Sequence, residues 1–146
     1  MGIVRQLRSV FGRRCGEEGP GASAVRPPRI GEPSVPIEGV DPTGRPVSIA
    51  TGEGRVVLVF LTSSCTPCQP LWTGSPPQGA VLVTPSPTTE SRRRVEHLAR
   101  PGQVVVMSSE AWHAYDVHRA PWLVVSDSGT VVSDAPAPSD WGPIGA

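Results

Sequence analysis

The chain is 146 residues long, enough for one ordinary domain, so a multidomain enzyme is excluded and a single compact core with short extensions is expected. Its 13 basic residues, all arginine, balance 13 acidic ones to a formal charge of zero. A nucleic-acid reader, which needs a basic excess to displace counterions, is therefore not expected. With Gly 16 and Pro 18, the composition approaches that of low-complexity chains, so part of the sequence is expected to lie outside any core.

Residues 1–14 place Ile3, Val4, Leu7, Val10 and Phe11 at helical spacing among four arginines and no acid, a short basic amphipathic segment. Such a segment could make peripheral contact with an anionic membrane surface, be a targeting remnant, or fray in solvent. Residues 15–34 are rich in Gly, Pro, Ser and Glu and read as a linker. Cys15 within them is read as a free thiol or as one that pairs with another chain.

The folded domain is assigned to residues 35–135. Its first element is a β-hairpin, Val35 to Val40 and Arg45 to Ile49, turning on Asp41-Pro-Thr-Gly44, where Pro supplies a fixed φ and Gly a positive one. Arg55 to Leu61, apolar on both faces, reads as a central buried strand, and Val56 to Leu61 is the longest apolar run, far short of the roughly eighteen residues a membrane-spanning helix needs. A short helix follows from Thr66 to Trp72, with Pro67 in its tolerated first turn. Ala80 to Thr84 is a strand, Thr88 to Arg100 a helix stopped by Pro101-Gly102, Val104 to Met107 a strand, and Ser109 to Val117 a helix. Trp122 to Ser126 and Thr130 to Ser133 form a closing hairpin on Asp127-Ser-Gly129. Alternating strands and helices with hairpins at both ends predict an α/β fold, a mixed central sheet with helices on both faces. The tail 136–146 is too rich in Pro and Gly for a full final helix, which predicts a partly open sheet face.

The chemistry points to Cys65-Thr-Pro-Cys68, set between the central strand and a helix. A cysteine at a helix N-terminus faces unpaired N–H groups and the positive end of the helix dipole, which favour its thiolate. A second cysteine one turn on is close enough to close a disulfide. Cys65 is thus the expected nucleophile and Cys68 the resolving thiol. Two reduced core cysteines, or half of a metal site, are the alternatives; a metal needs four ligands and one pair is supplied, so no metal and no organic cofactor are expected.

The run Arg55 to Cys68, with Tyr115-Asp-Val-His-Arg-Ala-Pro121 some fifty residues later and a hairpin to close, resembles the thioredoxin superfamily. The hairpin with Gly44 ahead of the core strand is similar more narrowly to its TlpA-like branch, which includes proteins of cytochrome c maturation and methylamine utilisation. The resemblance spans roughly residues 30 to 134. It implies a thioredoxin-like fold, thiol–disulfide exchange on protein cysteines, and a cis bond at Ala120-Pro121 lying against the disulfide. The substrate-binding residues it implies are Ala120 and Pro121, with Ser64, Thr66 and Pro67 about the cysteines. MGIVRQLR resembles the basic stretch after the membrane anchor of TlpA-like proteins. The location expected is cytoplasmic as written, or extracytoplasmic and membrane-anchored if the true start lies upstream.

Ser64 stands where the family commonly has an aromatic residue, and Val59 where many thioredoxins carry a buried acid, which removes the usual proton acceptor of the resolving thiol. Two further functions are weighed: a redox-inactive binding module, and a peroxidase suggested by Thr62 three residues before Cys65. The peroxidase pattern requires a proline at the position of Leu58. Of the histidines, His97 and His113 read as surface or core-edge groups, and His118, three before Pro121, as the one nearest the site. Trp72, Trp112 and Trp122 read as packing residues, with Trp72 and Trp122 able to rim a client site. Arg92 to Arg94 read as a solvated helix face. The chain is expected to be a monomer.

Overall fold

The computed structural model describes residues 26–145; the amphipathic segment 1–14, Cys15 and most of the linker lie outside the described residues. Seven strands form one sheet: β1 (Ile37–Val40), β2 (Pro46–Ile49), β3 (Arg55–Phe60), β4 (Ala80–Thr84), β5 (Val104–Met107), β6 (Trp122–Asp127) and β7 (Thr130–Pro136), in the order β2-β1-β5-β4-β3-β6-β7. The inner strands β3, β4 and β5 run parallel, and β1 and β6 pair antiparallel on either side of them. The sheet is mixed because each end of the chain enters it through a hairpin, whereas the middle needs helical crossovers.

Alternation along β3 divides the core. Val57, Val59 and Leu61 face one side with Cys68, Leu71, Trp72, Val95, Trp141 and Ile144; Val56, Leu58 and Phe60 face the other with Ala111 and Tyr115. Helices α1 (Gln69–Thr73), α2 (Arg92–Leu98) and the single turn α4 (Gly142–Gly145) therefore cover one face and α3 (Ser109–Ala114) the other. None of them is long and apolar enough to cross a membrane.

Strand β7 runs three residues past the expected Ser133, since Leu123 and Trp122 pair with Ala135 and Pro136, and three further elements differ from expectation, each for a local reason. Helix α2 starts at Arg92, four residues late, because Glu90 N–H closes a turn onto the Ser86 carbonyl and Ser91 takes the cap, accepting from Arg94 N–H at 3.2 Å. Helix α3 stops at Ala114 because Asp116 adopts a left-handed φ of 54°. In the tail, the open face expected from Pro and Gly does not occur: the Trp141 indole N–H donates to the Leu71 carbonyl at 2.8 Å, and α4 puts Ile144 into the core beside it. Gly74 makes room, since a Cβ there would lie 2.9 Å from Trp141 Cδ1.

Ahead of β1, residues 26–35 lie on the closing hairpin and on α3. Gly31 N–H donates to the Val131 carbonyl at 2.7 Å, Val131 N–H to the Glu32 carbonyl at 2.9 Å, and Ser34 N–H to the Gly129 carbonyl at 2.8 Å. Arg26 grips Glu32 through both carboxylate oxygens at 2.8 and 2.7 Å. The Tyr115 hydroxyl donates to the Val35 carbonyl and accepts from its N–H. Burial pushes the phenol's pKa up, so it stays a donor.

Candidate active site

Central strand β3 aims the chain at its functional turn. Leu61 extends the parallel ladder by one bond, its N–H on the Val83 carbonyl at 3.0 Å, and the next four residues leave the sheet. Two anchors hold them. The Trp72 indole N–H donates to the Thr62 carbonyl at 3.3 Å, and the Glu90 carboxylate accepts from Ser63 N–H at 2.9 Å, from the Ser63 hydroxyl at 2.7 Å and from Ser91 N–H at 2.9 Å.

Cys65 is extended (φ −82°, ψ 117°) and caps a 3-10 turn, Thr66–Cys68, that runs on into α1. Its sulfur is joined to that of Cys68 in a disulfide, Cα to Cα 5.2 Å. The two cysteines sit in unlike surroundings: Cys65 is half-buried, Cys68 wholly buried against Val59, Leu71 and Trp72. Ser64, Thr66 and Pro67 are exposed around Cys65. The N–H groups expected at this helix start are fewer than the sequence suggested. Pro67 has none, Cys68 N–H donates to the Cys65 carbonyl and Gln69 N–H to that of Thr66, which leaves the Thr66 N–H as the remaining donor of the turn.

Ala120-Pro121 is cis. In the antiparallel register Trp122 faces Phe60, so this bond stands beside Leu61, where the chain departs for Cys65. Ala120 and Cys65 pack against the same core cluster. Next to it, the Arg119 guanidinium lies over the Trp122 ring at 5.7 Å and the Trp122 indole N–H donates to Asp134 at 2.7 Å.

Val59, at the position of the absent acid, is fully buried in the cluster that holds Cys68. His118 does not reach this place: it is exposed, pairs with Asp116, and lines a cleft on the α3 side with Pro85, Ser109 and Trp112. Trp72 is no rim residue either, being wholly buried. Instead a groove of about 720 Å³ opens alongside the disulfide turn, walled by Ser63 and Gln69 on one side and by Arg93, Arg94, Glu96 and His97 of α2 on the other. Among the described residues no three His, Cys, Asp or Glu side chains come together as metal ligands.

The fold that carries this site occurs in solved structures. A Chlorobium tepidum protein assigned as a thiol:disulfide interchange protein, DsbE, superposes with a TM-score of 0.60 over 80% of this chain and 93% of its own, at 18% identity. The thioredoxin domain of a thiol-disulfide oxidoreductase from Bacteroides vulgatus gives 0.56 over 80% and 95%, at 16% identity. The exposed lipoprotein thioredoxin of Streptococcus pneumoniae gives 0.54 over 70% and 90%, at 14% identity. The fold is thioredoxin-like. No protein-family model matches the sequence, and no curated protein is similar to it. Sequence reading passed over Glu90 and Gln69; the available signal was an acid just before, not after, the helix cap, free to turn back toward another loop.

Proposed function

We propose that the protein is a thiol–disulfide oxidoreductase that exchanges electrons with protein cysteines through Cys65 and Cys68. One observation carries this: the two sulfurs form one bond at the end of the central strand, and only one of them is open to a partner. A client thiolate attacks the Cys65 sulfur, the Cys65–Cys68 bond breaks, and its electron pair stays on Cys68. A second client thiolate then attacks the client sulfur of the mixed disulfide and expels Cys65. The client leaves as a disulfide and the protein as a dithiol, two electrons richer. The reverse reaction runs through the same mixed disulfide, with Cys68 expelling the client. No cofactor is required, because every electron pair moves from sulfur to sulfur. Ser64, Thr66, Pro67, Ala120 and Pro121 are proposed for client contact; in support, Ser64, Thr66 and Pro67 are exposed next to Cys65 in the chain, and Ala120 packs on the same core cluster as Cys65.

Burial sets the order of events. A polypeptide cannot reach Cys68 without unpacking α1, so Cys68→Ser should accumulate mixed disulfides on Cys65 and Cys65→Ser should trap almost nothing. Equal trapping by the two variants overturns the assignment. A dithiol titration of the wild type should show one reversible two-electron couple, and its absence would leave a binding module in place of the enzyme. The peroxidase reading gains nothing from the fold: Arg55, at the far end of β3, stands about 17 Å along the strand from Phe60, out of reach of Cys65.

A further inference from the structure

We infer that the groove beside the disulfide is a specificity surface for acidic clients, polypeptides whose reactive cysteine is flanked by carboxylates; this rests on the exchange reading above. The groove adjoins the backbone of the reacting cysteine through its own wall, because the Gln69 side-chain amide donates to the Cys65 carbonyl at 3.3 Å and Ser63 lies two residues before Cys65. A client chain joined to Cys65 therefore has this groove beside it, and about 720 Å³ is within the usual range for binding pockets.

The opposite wall supplies the charge. Arg93 and Arg94 are exposed, and no carboxylate among the described residues comes within 4.0 Å of either; the ion pairs there are Arg26 with Glu32 and His118 with Asp116. Glu96 is the single acid of the lining and makes neither pair. Glu90 lies close by, but its carboxylate is occupied by Ser63 and Ser91. Two guanidinium groups against one carboxylate leave the groove cationic in a chain of zero net charge, and a client that brings two or three carboxylates completes it.

The test uses the full chain in its disulfide form and three reduced peptides that share one dithiol and differ only in flanking residues: acidic, uncharged or basic. Each rate is divided by that peptide's rate with a small uncharged disulfide, because flanking carboxylates alone make a thiol less acidic and slow its attack. The normalised kcat/KM of the acidic peptide should exceed that of the basic one by about five- to tenfold, mainly through KM. The ratio should fall toward one in about 1 M NaCl, where the screening length is about 3 Å. It should also fall toward one in R93Q/R94Q and persist in R93K/R94K. Equal rates for all three peptides, or a preference unchanged in R93Q/R94Q, overturn the assignment. So does a higher normalised kcat/KM for glutathione, run as a fourth substrate, than for any of the peptides, which would point to a small anionic thiol. Failure of the protein to oxidise any peptide would instead refute the exchange reading itself.

Discussion

Glu90 ties the turn before the cysteines to the start of α2 with three hydrogen bonds on one carboxylate. Removing it leaves Ser63 N–H and Ser91 N–H to find other partners, so Glu90→Ala should cost about 1–3 kcal/mol and Glu90→Gln less, read from urea unfolding of the disulfide form. Val59 poses a different question, since it fills the position of an acid with packing and leaves Cys68 no carboxylate in its own cluster. In the direction that reduces a client, release of the mixed disulfide by Cys68 should be the slow step and should quicken as pH rises, as more Cys68 becomes thiolate. Val59→Asp should speed that release above the carboxyl's own pKa, which burial raises, and leave it unchanged below. Single-turnover quench experiments across the neutral range decide this; pH-independent release would refute the account. The cysteine pair was legible in the sequence because it is a short contiguous motif, whereas the cis bond at Ala120-Pro121 was expected only through the family resemblance. Glu90 was not legible, because its partner Ser63 is 27 positions away: the acid ahead of the helix cap marks a free carboxylate but not the residue it will meet.

Among the elements, the short ones show what local reading misses. The tail's Pro and Gly do forbid a long helix, yet one turn suffices once Trp141 has a carbonyl to bond and a glycine opposite that admits its ring. Trp141→Ala should therefore lower stability by about 3 kcal/mol, seen as a lower urea midpoint at unchanged slope. Segment 26–35, read largely as linker, is held by backbone bonds to Val131 and Gly129 far along the chain and by the local pair of Arg26 with Glu32. There Glu32 is lowered to about 2, first by the Arg26 guanidinium and next by the Arg29 N–H. The folded value lies below the ordinary 4.5, so this anchor is fully present above pH 4.5 and is lost as pH falls from there toward about 2. Exchange protection of the neighbouring Gly31 amide should weaken across that window in the wild type and be pH-insensitive there in Arg26→Gln. Protection that holds down to pH 2 in the wild type would remove Glu32 from the anchor.

For the whole molecule, cohesion comes from two apolar layers against one sheet, and the disulfide closes only a minute loop. Loop-closure entropy for so short a span allows at most about 2 kcal/mol. Reduction by dithiothreitol should then lower the unfolding free energy by no more than that and leave the amide protection of β3 in place; loss of the sheet on reduction would show that the bond holds the fold together. The succession of strands and helices along the chain was legible because apolar runs alternate with turn residues, and the resemblance supplied the fold class; the order of strands within the sheet was not read. Contacts across the faces were not, since they depend on side chains that meet only after the sheet has formed. The sheet's two borders have a consequence for the protein's behaviour in concentrated solution. One border strand, β2, is four residues long, starts with Pro46 and follows Arg45; the other, β7, has part of its outer edge taken by Gly31, Glu32 and Ser34. Zero formal charge gives copies little long-range repulsion, so protection from edge-to-edge aggregation falls to these blunted borders.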